Sequence, residues 1–427
     1  MSYDISRYEI EKLDVYASIE PGFAFKSERF TDNLDDIPLV KGENVHQGYI
    51  DWAGAKHWPV DDFDSHSRYQ LVPGDIVLAM DRPWVTAGLK WSYIKLHDPK
   101  SLLVQRVARI RARGRLDQDY LRHIISSDYF ANYLQPIVTG VNVPHISGKQ
   151  IGDFRIPIPD LAVQRKIAAI LTAYDDLIET NKRSVALLEK MAEEIYREWF
   201  IRMRFPGYHN TKFVKGAPEG WEVTQFGQIA NMIMGQSPKS EFYNDSGQGV
   251  PFHQGVGTYG DRFPRNITFC TTNGRKAQKG DILFSVRAPV GRLNIADCDL
   301  IIGRGIAAIR QKDGNNSYLY YLLRTTFVNE DIIGNGSIFN SVGKDELAGF
   351  AVLRHPGDLI VRFEAIARPI DQQIEALIHS NSALTKTRDL LLPRLISGKL
   401  PVADLDIQFP PSMCEGAKGQ DRGDASG

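Results

Sequence analysis

The chain has 427 residues, of which 43% are hydrophobic and 24% are charged, and its formal net charge is −1. This composition is typical of a globular protein, and the length predicts two to four domains rather than one. The near-zero charge argues against a protein that is basic over its whole surface, so any nucleic-acid-binding surface must be local.

The sequence shows no sign of a membrane span or of a disulfide framework. No apolar run reaches the ~18 residues that a spanning helix needs, and the N-terminus lacks the basic and apolar segments of a signal peptide. Cys270, Cys298 and Cys414 have no disulfide, redox or zinc spacing. We therefore expect a cytoplasmic protein with reduced thiols, no metal site and no membrane partner.

Residues 1–159 are predicted to form a first domain of mixed strands and helices, with strand-like runs such as Gln70–Met80. A short helix is predicted through Tyr120–Tyr133, and a polar loop follows at Thr139–Gln150. Prolines 157 and 159 then block helix formation before the next segment.

One segment of this domain has arginines at every second position: Arg109, Arg111, Arg113 and Arg115. If the segment is a strand, the four side chains lie on one face. Two interpretations remain open. The arginines contact DNA phosphates, or they form the solvated face of an edge strand.

Residues 160–205 are predicted to form one long helix. Apolar positions recur at alternating steps of four and three, which is the spacing of a coiled-coil seam. The seam comprises Ile167, Leu171, Tyr174, Ile178, Asn181, Val185, Leu188, Ala192, Ile195 and Trp199. A helix of about 40 residues is roughly 60 Å long, which is longer than a small domain is wide. We therefore expect it to act as a spacer.

A second seam has the same phase at a constant offset of 196 residues. It comprises Phe363, Ala367, Ile370, Ile374, Leu377, Asn381, Leu384, Arg388, Leu391 and Leu395. Each stripe packs only on its own domain, or the two helices pair with each other; the constant offset favours pairing. Asn181 and Asn381 occupy seam positions that are not equivalent in the repeat, where a buried polar residue can fix register. Pro369 predicts that the second helix starts or kinks there.

Residues 206–356 are predicted to form a second domain that repeats the first. The motif at Gly74–Pro83 corresponds to Gly280–Pro289, and Ala108–Arg113 corresponds to Ala307–Lys312. A second spacer helix is expected at 357–400, and the Gly-rich, polar residues 401–427 are expected to be a disordered tail. The order domain, helix, domain, helix indicates an internal duplication.

A duplicated domain held by paired helices suits a ligand that is itself periodic. Duplex DNA is one such ligand, because its grooves present equivalent faces about every 34 Å. Each domain is then expected to read one half of a split site while the helices set the distance between the halves. A two-headed coiled-coil scaffold that binds protein partners without DNA is the alternative.

Two helical motifs resemble those of a known family. The segment Ile156–Phe200, "IPIPDLAVQRKIAAILTAYDDLIETNKRSVALLEKMAEEIYREWF", is similar to the central conserved region of the specificity (S) subunits of type I restriction-modification systems. The segment Leu390–Leu400, "LLLPRLISGKL", is similar to the C-terminal signature of the same family. Shorter matches at Gly303–Arg310 and Gly336–Phe339 resemble its target recognition domains.

This resemblance implies a non-catalytic DNA-reading subunit of α+β class. Two mixed α/β target recognition domains in tandem would be separated by two long helices that pair as an antiparallel coiled coil with pseudo-twofold symmetry. Each domain would read half of a bipartite, asymmetric site in double-stranded DNA, and the helices would dock two modification (methyltransferase) subunits. Motor-nuclease subunits join for restriction. S-adenosylmethionine, ATP and magnesium would be used by those partners.

The sequence contains no motif for chemistry of its own. An adenine methyltransferase needs an Asn/Asp/Ser-Pro-Pro-aromatic motif and a glycine-rich cofactor loop. The one Pro-Pro pair, Pro410 and Pro411, follows Phe409 and precedes Ser412 in the expected tail, so it does not fit. No Walker loop, HExxH motif or spaced Cys/His cluster is present.

Base reading requires arginine, asparagine or glutamine side chains in loops, and phosphate contact requires lysine, serine or arginine. In the first domain the candidates are Asn44, Gln47, Arg82, Arg111, Asn142, Ser147 and Lys149. In the second they are Gln236, Gln254, Tyr259, Arg287, Arg304, Ser337, Asn340, Ser341 and Lys344. The repeat matches Ser147 and Lys149 with Ser341 and Lys344. Polar loop residues are commonly only solvated, and Trp84 and Tyr259 either stack on bases or belong to the core.

Overall fold

The computed structural model describes residues 7–85, 88–138, 144–214, 216–327, 332–333, 337–338 and 341–413. The chain divides into two compact units. Unit 1 is Met1–Asn181 with Ser380–Gly427, and unit 2 is Lys182–His379. Within the described ranges, no helix is long and apolar enough to cross a membrane.

Unit 1 is built on two four-stranded sheets. The first is antiparallel throughout, with the spatial order Trp91–Tyr93, Ile76–Ala79, Val107–Ala112 and Ala17–Pro21. The second contains one parallel pair, Ile37–Val40 with Ser101–Leu103, and has the order His57–Trp58, Ile37–Val40, Ser101–Leu103 and Gln70–Leu71. Ile76–Ala79 is buried at every position, which is why it reads as a continuous apolar run.

Shorter elements complete unit 1. The strand pairs are Glu9–Lys12 with Arg155–Ile158, Val45–His46 with Tyr49–Ile50, and Trp84–Val85 with Gly88–Leu89. The α-helices are Leu13–Tyr16, Gln118–Ile125, Asp128–Val138 and Gly148–Gly152, and 3₁₀ turns lie at Ser27–Arg29, Val60–Asp62 and Asp64–Tyr69. The single helix predicted through Tyr120–Tyr133 is therefore two helices.

Unit 2 repeats this plan. Its antiparallel sheet has the order Leu293–Ile295, Ile282–Ser285, Ile306–Gln311 and Ala230–Met234. Its second sheet has the order Tyr243–Asn244, Phe269–Cys270, Val250–His253, Leu300–Ile302 and Lys276–Ala277. The strand pairs are Glu222–Gln225 with Ala351–Arg354, Phe213–Val214 with Ala217–Pro218, and Ile332–Ile333 with Ser337–Ile338. Helices span Phe226–Ile229, Asn316–Thr326 and Lys344–Gly349, and 3₁₀ turns lie at Tyr208–Asn210, Ser240–Phe242 and Val256–Thr258.

The repeat extends to individual side chains. In unit 1 the Asp75 carboxylate accepts a backbone hydrogen bond from the preceding turn (2.9 Å) and pairs with Arg111, whose Nη2 lies 2.7 Å away. In unit 2 Asp281 accepts from its turn (2.8 Å) and pairs with Arg310, whose Nη2 lies 2.9 Å away. The same aspartate–arginine pair thus joins the same two strands in each unit, and all four residues lie in the matched sequence segments.

Two long helices complete the architecture. The central helix is Leu161–Tyr196, and a π-helical turn at Arg197–Ile201 extends it. The C-terminal helix is Gly357–Ile396, and it packs with the central helix. This helix begins before Pro369, so the predicted start at that proline is wrong. Pro369 is exposed, whereas Ala367 and Ile370 beside it are buried, so core contacts outweigh the missing backbone hydrogen bond.

The seam residues of both helices face protein. None of the twenty predicted seam positions is exposed, whereas Lys182, Ala186, Leu187 and Lys190 on the other faces of the central helix are exposed. In unit 1 Ile167 and Leu171 share one buried cluster with Leu395. In unit 2 Ala192 shares a buried cluster with Phe363. Burial of this stripe accounts for its regular spacing.

The polar seam residues of unit 1 pair with one another. Asn181 Nδ2 donates to Asn381 Oδ1 at 2.9 Å. Arg388 Nη1 donates to Asp175 Oδ1 at 2.7 Å. The partner number rises on one helix as it falls on the other, so the two segments are antiparallel here. Both polar residues that disturb the second seam therefore have a partner on the central helix.

Residues 401–413 differ from the expected disordered tail. Val402 is buried in the core of unit 1. Lys166 Nζ donates to the carbonyl oxygens of Ala403 (2.6 Å) and Leu405 (2.8 Å), and Ser412 donates to Asp176 (2.6 Å). One buried valine and three hydrogen bonds to the central helix hold this segment despite its composition. Residues 414–427 and Cys414 lie outside the described residues.

Unit 2 buries a histidine among aromatic rings. The His355 ring lies 4.5 Å from the ring centroids of both Phe200 and Trp221. Its Nδ1 and the Tyr318 hydroxyl are 2.6 Å apart. Burial lowers the pKa of His355 to about 3, so the ring is neutral in the folded protein at physiological pH.

This histidine predicts a pH-dependent stability. Below about pH 6.5 His355 is protonated in the unfolded chain but remains neutral in the folded protein. The free energy of unfolding therefore falls as pH falls, by about 2 kcal/mol at about pH 5. The measurement is the urea midpoint of unit 2 at neutral pH and at about pH 5. His355→Phe should flatten this dependence. Parallel pH profiles for the wild type and the variant would contradict the assignment.

Candidate nucleic-acid interface

Several loops of unit 2 meet at one edge of its antiparallel sheet. Met234 pairs with Ala307 and Ser285 pairs with Ile306, so two strands end where the third begins. We define the loop edge of unit 2 as residues 235–237, 254–255, 286–289, 303–305 and 341–342. These loops are anchored at the ends of paired strands, so the side chains of the loop residues are positioned by a rigid sheet.

Five predicted contact residues lie at this edge, and all five are exposed: Gln236, Gln254, Arg287, Arg304 and Ser341. Ser237 Oγ donates to Gln254 Oε1 at 2.8 Å and accepts from the Arg304 backbone N–H at 3.2 Å. Arg287 forms an isolated antiparallel bridge with Ser341. Residues far apart in the sequence, with amide, guanidinium and hydroxyl groups, thus form one polar surface.

Glycine allows the loops to approach this closely. A Cβ on Gly235 would lie 2.1 Å from the Gly303 carbonyl oxygen, a distance that no side chain tolerates. In unit 1 a Cβ on Gly22 would lie 2.4 Å from the Leu103 carbonyl oxygen. The same close contact therefore shapes the same edge in both units.

The loop edge of unit 1 comprises residues 22–23, 80–83, 104–106 and 144–146. Its backbone hydrogen bonds match those of unit 2. Met80 N–H donates to Arg106 O (2.8 Å), as Val286 N–H donates to Gly305 O (2.9 Å). Ile146 N–H donates to Met80 O (2.8 Å), as Val342 N–H donates to Val286 O (2.9 Å). The two edges are therefore equivalent in backbone, although their side chains differ.

Polar and charged side chains also lie at the unit 1 edge. Of these residues, only Arg82 was identified from the sequence as a candidate DNA contact. Gln105, Arg106 and His145 are exposed there as well. The Asp81 carboxylate accepts hydrogen bonds from both Arg106 and His145. The missed residues belong to two short loops that carry no motif. Their correspondence with residues 304, 305 and 341 in the repeat is the signal that identifies them.

Two unit 1 candidates have structural roles instead. Asn44 is buried, and its side chain accepts from Lys41 N–H (2.8 Å) and donates to Leu39 O (3.1 Å), which closes a turn. Arg111 is neutralised by the buried Asp75. Both were predicted as DNA contacts because polarity in a sequence does not distinguish a satisfied internal partner from an exposed one. Arg109 is likewise buried and pairs with Glu20 at 2.8 Å. The strand Val107–Ala112 is paired on both sides, so the predicted edge strand is wrong.

Gln47 lies beside the hairpin that leaves the unit 1 edge. A Cβ on Gly88 would be 2.7 Å from Gln47 Nε2, so the glutamine side chain packs on this hairpin. The exposed glutamine lines a groove together with Trp84, Trp91 and Asn132. Trp84 is half-buried in this groove.

A loop precedes the short helix Gly148–Gly152 in unit 1 and the short helix Lys344–Gly349 in unit 2. The structure aligns the residues of these two loops differently from the sequence comparison. Ser147 caps the helix Gly148–Gly152 by accepting from Gln150 N–H at 3.2 Å. Gly343 holds the same capping position before the helix Lys344–Gly349. Ser147 is thus equivalent to Gly343, and Ser341 to His145. Lys149 and Lys344 are both exposed on their helices.

The remaining candidates do not join the edge surface. Tyr259 is only 7% exposed and belongs to a buried cluster with Leu283 and Ile302, so the core interpretation holds for it. Ser337 lies in a short strand of which only the backbone is described. Asn142 and Asn340 lie outside the described residues. Within the described part of the chain, no group of three or more His, Cys, Asp or Glu side chains could hold a metal ion.

Duplicated β-rich domains combined with two long packed helices define the architecture class of this protein. The sequence model of the type I restriction modification DNA specificity domain matches residues 12–190 and 218–352. The match covers more than half of the chain, and the protein belongs to the family of type I restriction-modification specificity subunits. The family, the fold class and the role as DNA specificity subunit predicted from the sequence are confirmed.

The chain is similar in sequence or in fold to individual proteins of this family. It is 28% identical over 411 residues to the putative type I restriction enzyme MjaX specificity subunit of Methanocaldococcus jannaschii, covering 92% of this chain and 94% of that protein. It is 33% identical over 160 residues to the EcoAI specificity subunit of Escherichia coli, covering 37% and 26%. The crystal structure of the S subunit from M. genitalium shares the fold, with a TM-score of 0.57 at 14% identity, covering 91% and 96%.

Proposed function

We propose that the two units each read one half of a bipartite, asymmetric DNA site. The observation that carries this proposal is the pair of equivalent loop edges. Their backbones match, but Asp81 of unit 1 stands where unit 2 has Arg287, and Arg106 stands where unit 2 has Gly305. The two loop edges thus have equivalent backbones but present different hydrogen-bond donors and acceptors. Different donors and acceptors are expected to recognise half-sites of different base sequence.

The long helices set the separation of the half-sites in this proposal. Each helix contributes residues to both units, and its seam residues are buried or half-buried. A helix rises about 1.5 Å per residue, so its length defines a distance that a flexible linker cannot define. The Asn181–Asn381 hydrogen bond supports one register, because a shifted pairing leaves both amides without a partner.

The helices also dock two modification subunits in this proposal. Large apolar side chains are exposed on them, namely Leu177 (53%), Leu187 (68%), Met191 (45%) and Leu390 (61%). Leu187 and Met191 are four residues apart and are therefore neighbours on the surface of the central helix, and an exposed apolar pair of this kind supports a protein partner. Such partners use S-adenosylmethionine, and the restriction subunits use ATP and magnesium.

The test is to co-express the chain with its cognate modification subunit in a host without adenine methylation. We expect methylated adenines in one split motif, mapped by single-molecule sequencing, and no methylation when this chain is omitted. A purified stable complex that methylates no motif would overturn the proposal and favour a protein scaffold.

A further inference from the structure

The unit 1 edge contains two arginines in an unusual backbone conformation. Of the non-glycine residues that the structure describes, three have positive φ: Arg82 (43°), Arg106 (69°) and Met203 (59°). A side chain in this left-handed region is strained, and glycine would adopt it without strain. An arginine at such a position indicates that its side chain is needed there.

Arg106 is exposed and yet held in place. Its side chain is 63% exposed, while the Asp81 side chain that accepts its hydrogen bond is 22% exposed. The second Asp81 oxygen accepts from His145, whose side chain is 50% exposed. Because His145 holds the other Asp81 oxygen, the hydrogen bond from Arg106 Nη1 anchors one end of the guanidinium and leaves Nε and Nη2 as donors for another group.

Unit 2 also has an arginine at this part of its loop edge, Arg287. It follows the strand Ile282–Ser285, whereas Arg106 of unit 1 precedes the strand Val107–Ala112. Arg287 corresponds to Asp81, and Gly305 corresponds to Arg106, according to the matched backbone hydrogen bonds. A Cβ on Gly305 would lie 2.6 Å from the Gln254 carbonyl oxygen, so no side chain can extend from that position in unit 2. Among the described residues, Arg106 pairs with a carboxylate of the facing loop, whereas Arg287 forms a backbone bridge with Ser341 of its facing loop.

We propose that Arg106 reads a guanine in the half-site of unit 1 and that Asp81 is its positioning residue; this inference rests on the proposed function. Arginine pairs with guanine by donating two hydrogen bonds to O6 and N7 in the major groove. Two parallel bonds require an oriented guanidinium, and the hydrogen bond to Asp81 restricts that orientation. An acidic residue is repelled by DNA phosphates, so its presence at this edge fits a role in orienting the arginine.

Contact with a phosphate is the competing role, and Arg106→Lys separates the two. Lysine keeps the positive charge but loses the planar fork of donors, so it replaces arginine at a phosphate better than at a guanine. Arg106→Gln removes the charge as well. Asp81→Asn keeps the size of the side chain and weakens its hydrogen bonds to both Arg106 and His145.

The experiment maps methylated motifs for the complete complex with each variant. In the wild type we expect a G·C pair in the half-site that changes when residues 1–159 are exchanged. Arg106→Lys and Arg106→Gln should each reduce the preference for guanine at one position of that half-site by about fivefold to a hundredfold, with the other half-site unaltered. Asp81→Asn should reduce the preference at the same position while total methylation is retained.

The matched control is Arg115→Gln. Arg115 follows the opposite end of the strand Val107–Ala112, is 49% exposed, and also pairs with a carboxylate, that of Glu9. We expect this variant to methylate the wild-type motif. A unit 1 half-site without a G·C pair, or a wild-type motif from Arg106→Lys, would overturn the inference. Absence of any split motif in the wild type would instead overturn the proposed function.

Discussion

Exchanging residues 1–159 for the corresponding segment of another type I specificity subunit is expected to change one half of the methylated sequence completely and to leave the other half unaltered. The unit 1 loop edge lies wholly within this segment, whereas the unit 2 loop edge lies within residues 235–342. Single-molecule mapping of methylated adenines in cells that express the complete complex measures both halves at once.

The structure determines where the exchange should end. Strand Arg155–Ile158 pairs with Glu9–Lys12, so a junction before Arg155 separates two strands that must match. A junction after Pro159 keeps the pair together. Gln164, at the start of the central helix, holds the domain through backbone groups only, with Nε2 donating to Arg115 O at 2.9 Å and Oε1 accepting from Asp117 N–H at 2.8 Å. Hydrogen bonds to backbone groups do not depend on the side chains of the exchanged segment, so Gln164 can form them with another domain as well.

The matched control is the same exchange with its junction before Arg155, which should yield less folded complex. A protein that folds after the longer exchange and changes both half-sites would disprove the assignment of one half-site to each unit. An unaltered motif would disprove it as well.

Replacing Arg262 by methionine is expected to destabilise unit 2 by about 3–5 kcal/mol. The side chain of Arg262 is 1% exposed and lies over the Tyr320 ring, with Cζ 4.5 Å from the ring centroid. Its guanidinium donates to Asp371 and, at 3.3 Å, to Glu189, one on each long helix. Methionine fills most of the volume but leaves two partly buried carboxylates without this partner.

Urea unfolding of the full chain, followed through the transition of unit 2, measures the effect. Arg265→Met is the control, because Arg265 is three residues further along the same loop and exposed. It should change the free energy of unfolding by less than about 0.5 kcal/mol. The double variant with Asp371→Asn should recover part of the loss. An Arg262→Met protein as stable as the Arg265→Met protein would contradict a structural role for the buried ion pairs.

The sequence predicted features that repeat or have a period. The two helical stripes were evident because each turn of helix returns an apolar residue to the same face. The duplication was evident because the segments Gly74–Pro83 and Gly280–Pro289 match in sequence, as do Ala108–Arg113 and Ala307–Lys312. Backbone geometry imposes these spacings wherever they occur, so a single chain is sufficient to detect them.

Individual contacts at the candidate interface were predicted less well. Asn44, Arg111 and Tyr259 have the chemistry of DNA contacts, but the structure satisfies or buries them internally. Arg106 and His145 escaped notice because Asp81, which holds both, lies in a different loop from either. Exposure and partnership depend on which distant loops meet, and no local pattern records that.

The amino-acid sequence by itself determined the class of this protein, its duplicated domains and its two paired helices, since heptad spacing and internal repetition are properties of the linear chain. Only the tertiary structure decided which arginines face solvent and which are buried. Arg262 and Arg106 are both loop arginines, yet one is 1% and the other 63% exposed. Arg262 is enclosed by the carboxylates of Asp371 and Glu189 and by the Tyr320 ring, which offset the cost of burying its charge. Arg106 meets a single carboxylate, that of Asp81, at a loop edge, and its charge stays in contact with water.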